Sequence, residues 1–133
     1  MSKALIQTAN TSQQAVAINS FISLGSVLRR FGCNCRLNGN SIELEGEGYY
    51  IVDAVVTVAP TAVGNVTIAL TQDDVIVPGT TSISSVSTAG NSTTIPISTT
   101  IRLNCCGPTK SLKVVLLTGA GTVSNIAVRV LKV

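Results

Sequence analysis

Residues 48–58 read Gly-Tyr-Tyr-Ile-Val-Asp-Ala-Val-Val-Thr-Val, and no other stretch narrows the possible folds so far. Tyr50, Val52, Ala54, Val56 and Val58 are all apolar, while Tyr49, Ile51, Asp53, Val55 and Thr57 are mixed. In a strand, residues two apart share a face, so one face is predicted buried and the other part-buried. Gly46 and Gly48 mark the entry, and Pro60 with Gly64 marks the exit. A second alternation follows at once, with Val66, Ile68 and Leu70 on one side and Thr67, Ala69 and Thr71 on the other. The two segments are expected to form a hairpin at the centre of an all-β sandwich.

The rest of the chain keeps this rhythm. Residues 1–13 are polar and weakly patterned, and read as an N-terminal arm or edge strand packing on a neighbour; residues 14–133 read as one β-sandwich domain. Val16, Ile18, Ile22 and Leu24 share a parity, and residues 27–37 form a further extended run with Arg29, Phe31, Cys33 and Cys35 on one parity. Asn38-Gly39-Asn40 is a tight turn, since Asn and Gly tolerate positive φ. Ile42 and Leu44 alternate with Glu43, Glu45 and Glu47. Gln72-Asp73-Asp74-Val75 and Val77-Pro78-Gly79-Thr80 are turns. Residues 80–89 are rich in Ser and Thr around Ile83 and Val86, and read as an edge strand or extended loop. In residues 93–103 Pro96 cannot donate a ladder hydrogen bond, which sends that strand to an edge or a bulge. Residues 112–117, a turn at Gly119-Ala120-Gly121, and the alternation of Ile126, Val128 and Val130 close the chain. About ten short strands with no 3.6-residue periodicity predict a sandwich or barrel.

Of the 133 residues 45% are hydrophobic, yet only 11% are charged, against about 25% in an ordinary soluble protein. Either other subunits cover much of the surface, or Ser, Thr and Asn solvate it. The net charge of +3 is spread thinly, with one cluster at Arg29, Arg30 and Arg36. There is no Trp, and the aromatics are Phe21, Phe31, Tyr49 and Tyr50, too few to interleave a basic patch with base-stacking rings. Nucleic acid is therefore not an expected partner. The start turns polar too soon for a secretion signal, and no run approaches the roughly 18 apolar residues of a membrane span. The expectation is synthesis and folding in a cytoplasm, with no membrane partner.

Nothing in the sequence assembles into catalysis. There is no His to activate a Ser or Cys, no Gly-x-Ser-x-Gly and no phosphate-cradling loop, so no enzyme and no cofactor are expected. The four cysteines, Cys33, Cys35, Cys105 and Cys106, lack the paired Cys-x-x-Cys spacing of a zinc site. They read as free buried thiols, or as a disulfide between the two clusters if their strands adjoin. Alternating Glu43, Glu45 and Glu47 read as a solvated face, and Asp73 with Asp74 as turn chemistry rather than a calcium site.

The run from Gly48 through Tyr50, followed by Val66-Thr-Ile-Ala-Leu-Thr-Gln-Asp-Asp-Val-Ile-Val-Pro-Gly79, resembles the middle of a jelly roll of the C1q/tumour-necrosis-factor type. The Arg-Arg-Phe-Gly-Cys-Asn stretch at residues 29–34 and the Cys-Cys pair at residue 105 are similar to segments of small structural proteins of phages and prophages, over most of residues 14–133. The resemblance implies a homotrimeric jelly roll on a virion, as a head decoration protein or head-fibre component on the capsid surface. Its partners would be copies of itself and a major capsid protein or other virion protein. Subunit or capsid contacts would involve Tyr49, Tyr50, Ile51, Asp53, Arg29, Arg30 and Phe31, with Tyr50 at or near the threefold contact. The alternative is a trimeric module at a fibre tip or a bacterial cell or spore surface, recognising a receptor or glycan.

Overall fold

A computed structural model describes residues 3–104 and 108–133. Thirteen strands are present among them: β1 (Ala4–Asn10), β2 (Gln14–Val16), β3 (Ser20–Phe21), β4 (Ser26–Phe31), β5 (Cys35–Asn38), β6 (Ser41–Leu44), β7 (Gly48–Pro60), β8 (Gly64–Gln72), β9 (Val75–Ile76), β10 (Ser82–Val86), β11 (Thr93–Leu103), β12 (Lys110–Thr118) and β13 (Gly121–Lys132). They form two antiparallel sheets. The first runs β11-β7-β13-β1-β4, with β2 alongside β13; the second runs β10-β8-β12-β6-β5, with β3 alongside β12 and β9 alongside β8. The all-β expectation is met, with a few more short strands than the ten anticipated.

The long alternating segment behaves as its pattern predicts. Tyr50, Val52, Ala54, Val56 and Val58 point inward and are at most 2% exposed. Facing them from the second sheet are Val66, Ile68, Leu70, Leu112, Val114 and Leu116, in one continuous core. Each fully buried Val, Leu or Ile contributes roughly 1.5–3 kcal/mol.

The central hairpin does not form. β7 and β8 lie in different sheets, and residues 61–63 carry the chain across the sandwich between them. β7 instead pairs with β11 and β13, and β8 with β10 and β12. The alternation was right for each strand, but it carries no information on which strand is the neighbour. Hairpins form instead at β8–β9, closed by Asp73 and Asp74, both at positive φ, and at β5–β6, which turns at Gly39 and Asn40 as the sequence predicts.

The N-terminal arm is also corrected. β1 is an interior strand of its own first sheet, bonded to β13 on one side and β4 on the other. Ala4 and Ile6 are fully buried, and so is Thr8, whose hydroxyl has no hydrogen-bond partner among the described residues. The inward positions of β1 are Ala4, Ile6 and Thr8, and the polar look of the segment comes mostly from Gln7, Asn10 and residues 11–13.

Two runs taken as continuous strands break where the chain changes sheets. In residues 14–24, β2 joins the first sheet and β3 the second, and Ile18 is left 54% exposed between them. Residues 27–37 break at Gly32, where φ is +79° and a Cβ would lie 2.8 Å from the Lys3 carbonyl oxygen. β4 therefore stays in the first sheet and β5 enters the second, so Cys33 and Cys35 do not share a face: Cys33 is exposed and Cys35 buried. β10 is an edge strand as expected, with Val86 buried and Ile83 turned outward. β11 is the edge that Pro96 required.

Candidate functional site

The outer face of the first sheet collects most of the residues that the sequence pointed to. Strand register arranges that face in rows. One row runs Thr100, Ile51, Leu131, Leu5, Phe31. The next runs Ser98, Asp53, Arg129, Gln7, Arg29, and a third runs Pro96, Val55, Ala127, Ala9, Ser26. Beyond the first row, Arg102 stands beside Tyr49, its guanidinium 5.6 Å from the ring centroid.

Two apolar bands thus flank one polar row. Phe31 and Tyr49 are each 51% exposed, Val55 is 38% exposed, and Ile51, Leu131 and Leu5 are half-buried. Within the polar row the Arg129 guanidinium donates to the Asp53 carboxylate, and the Ser98 hydroxyl donates to its other oxygen at 3.0 Å. These two donors, the arginine first, hold the Asp53 carboxyl below its ordinary value. An ion pair this exposed adds little stability, but it leaves the face nearly neutral around it. The second sheet contrasts with this. Arg36–Glu43, Lys110–Asp73 and Lys113–Asp74 pair on or beside its outer surface at 2.9, 3.3 and 3.0 Å.

Not all the expected contact residues reach this face. Tyr49, Ile51, Asp53, Arg29 and Phe31 do. Tyr50 does not: it is fully buried, and its hydroxyl lies 2.8 Å from both the Glu45 and Gly46 carbonyl oxygens. Burial, with Cys35 and Glu45 nearby, pushes its phenol up to about 12. Tyr50 is a core residue and out of reach of a partner. Arg30 points to the other side of β4, where its Nε donates to the Cys35 carbonyl at 2.7 Å.

The cysteines divide. Burial pushes the Cys35 thiol up to about 11, against the opposing pull of Arg30 and Lys132, so it remains a neutral thiol packed in the core. Cys105 and Cys106 lie outside the described residues, and with them the alternative of a disulfide between the two clusters. The acidic run separates as well. Glu43 accepts from Asn38 and Arg36, which hold its carboxyl below its ordinary value, and Asp73 accepts from the Ser111 amide at 2.9 Å, with the same effect.

The sequence reading missed Leu5, Gln7, Arg129 and Leu131 on the outer face. The odd-numbered positions of β1 and of residues 125–131 carried the signal, but a bulge between Val123 and Asn125 shifts the parity of β13.

No family model matches this sequence, and no curated protein does. Solved structures do resemble it. The globular domain of the zebrafish complement 1qA protein superposes with a TM-score of 0.71 at 8% identity, over 94% of each chain. The PRD1 vertex protein P5 gives a TM-score of 0.70 at 16% identity, over 98% of this chain and 96% of that one. Eiger TNF from S. frugiperda gives 0.70 at 10% identity, over 98% and 91%. The fold is a jelly roll of the C1q/TNF type.

Proposed function

We propose that this chain is a virion structural protein, a homotrimeric jelly roll attached to a capsid as a decoration or head-fibre component. The observation that carries the reading is the outer face of the first sheet, where two apolar bands border a single ion-paired row. A face of that kind is costly to leave in water and suits burial against another subunit. The low charge of the whole chain agrees with it. The fold likeness to a protein named as a vertex protein supports the virion location, and the absence of His supports a role without catalysis.

The alternative, a receptor- or glycan-binding module, is less well supported. Sugar recognition in a loop commonly uses an exposed aromatic ring, and Phe21, Phe31, Tyr49 and Tyr50 all sit in strands.

Light scattering on the purified protein tests the assembly. The expected mass is about three times the 13.7 kDa of one chain, with and without reductant. Ile51→Glu should reduce it to one chain while the β-type circular dichroism persists. A wild-type monomer in both conditions would overturn the trimer. Antibody labelling of particles released by producing cells tests the location: label on heads is expected, and label confined to fibre tips or the cell surface would favour the alternative.

A further inference from the structure

We infer that β4 is a docking edge that captures an extended acidic segment of another polypeptide by adding it as a further strand of the first sheet. β4 is the last strand of that sheet, bonded to β1 along one side. All six of its residues are exposed, including Val27 (40%), Leu28 (59%) and Phe31 (51%). No backbone group of residues 26–31 makes a hydrogen bond on the outward side, among the described residues. Such an edge is a template for another strand; it is interrupted once, at a bulge where Leu28 stands between the Val27–Thr8 and Arg29–Gln7 pairs, which leaves residues 29–31 as its regular part. The opposite edge is protected: the Ser82 hydroxyl donates to the Pro96 carbonyl at 2.9 Å and Ser84 bonds Thr93, tying β10 to β11.

The chemistry of the rows selects the occupant. The polar row ends at the edge on Arg29, with neutral Gln7 between it and the Asp53–Arg129 pair. The adjacent row ends on Phe31. An added strand therefore places an acidic residue beside Arg29 and an apolar residue, two positions away, beside Phe31. A second copy of β4 fits poorly, because Arg29 and Arg30 from both copies would crowd one ribbon of like charge. The backbone groups that would bond the added strand lie on the outward side of β4, while Arg29 and Phe31, which select its side chains, also end two rows of the face assigned above to subunit contact, so the inference rests on that contact leaving the end of those rows open.

Hydrogen exchange of the wild-type protein with a capped Thr-Val-Thr-Glu-Thr-Val-Thr peptide tests this. The peptide is palindromic, so it serves in either strand direction. At ten times its Kd the outward-pointing amides among residues 26–31 should exchange about tenfold more slowly, while those bonded to β1 change little. The same peptide with Lys in place of Glu should protect less, and Arg29→Glu should reverse that preference. The proposal is overturned by no protection at millimolar peptide, by equal protection from both peptides, or by protection centred on β10 or β11. Protection of β4 that grows with protein concentration alone would also overturn it, in favour of a second copy. Light scattering on the same samples reports the trimer separately, so either reading can fail without the other.

Discussion

Tyr50 shows how a single residue can be read correctly in one respect and wrongly in another. Its parity placed it in the core, and there it lies. The resemblance placed it at a subunit contact, and its hydroxyl is instead committed to the chain's own Glu45 and Gly46 carbonyls. No pattern in the sequence announces such a bond, because the acceptors are backbone atoms of a loop. Tyr50→Phe keeps the ring and strips these carbonyls of a buried donor, which costs about 1–3 kcal/mol. We expect a lower unfolding midpoint at fixed protein concentration, with the oligomeric mass unchanged. A drop in mass without a drop in midpoint would restore Tyr50 to the interface. Cys35 repeats the lesson: its alternation with Cys33 was visible, but Gly32 between Phe31 and Cys33 turns the chain and sends the two thiols to different environments.

Elements were legible where alternation was long, and obscure where the chain crosses between sheets. β7, β11 and the second half of β13 could be drawn from the sequence residue by residue. β2, β3 and β9 could not, because two or three residues hold no period. The crossings depend on small residues at points of close approach. At Gly121 a Cβ would stand 2.3 Å from the Ala59 carbonyl oxygen and 2.6 Å from the Pro60 Cα, both backbone atoms that cannot yield cheaply. Gly39 has φ +60° but no atom within 4 Å of its Cβ position. Gly121→Ala is expected to destabilise by about 2–4 kcal/mol through displaced backbone. Gly39→Ala should cost about 1–2 kcal/mol, the penalty of a left-handed L-residue alone. Denaturant midpoints for the two variants test the ranking, and equal losses would refute the close contact at Gly121.

For the whole molecule, the folded protein should be most stable between two titrations of opposite sense. Asp53, Asp73 and Glu43 all titrate below their ordinary values of 3.8, 3.8 and 4.5. Their contribution is complete above those values and is lost as pH falls through the lower folded ones. Cys35, raised from 9.0 to about 11, contributes stability that is present below 9.0 and is lost as pH rises toward 11, and Tyr50, raised from 10.0 to about 12, adds a loss of the same sense that begins one unit higher. A thermal unfolding profile should be flat from about pH 5 to 8 and fall on both sides, with Asp53→Asn flattening the acid limb and Cys35→Ala the alkaline one. Limbs unchanged in these variants would assign the titrations elsewhere. The difference between the two outer faces belongs to this scale as well, and it was hidden from the sequence because each row draws on strands far apart in the chain. That remoteness has a kinetic consequence. β13 lies between β7 and β1, and Ala4 pairs with Lys132. Until residues 121–132 emerge from the ribosome, neither neighbour has its partner, and the first sheet cannot close. The nascent chain must then hold β7, its most apolar strand, with an open edge until those residues are available. Folding should be slow and dominated by distant pairings, and its most aggregation-prone interval is the one that precedes the docking of β13.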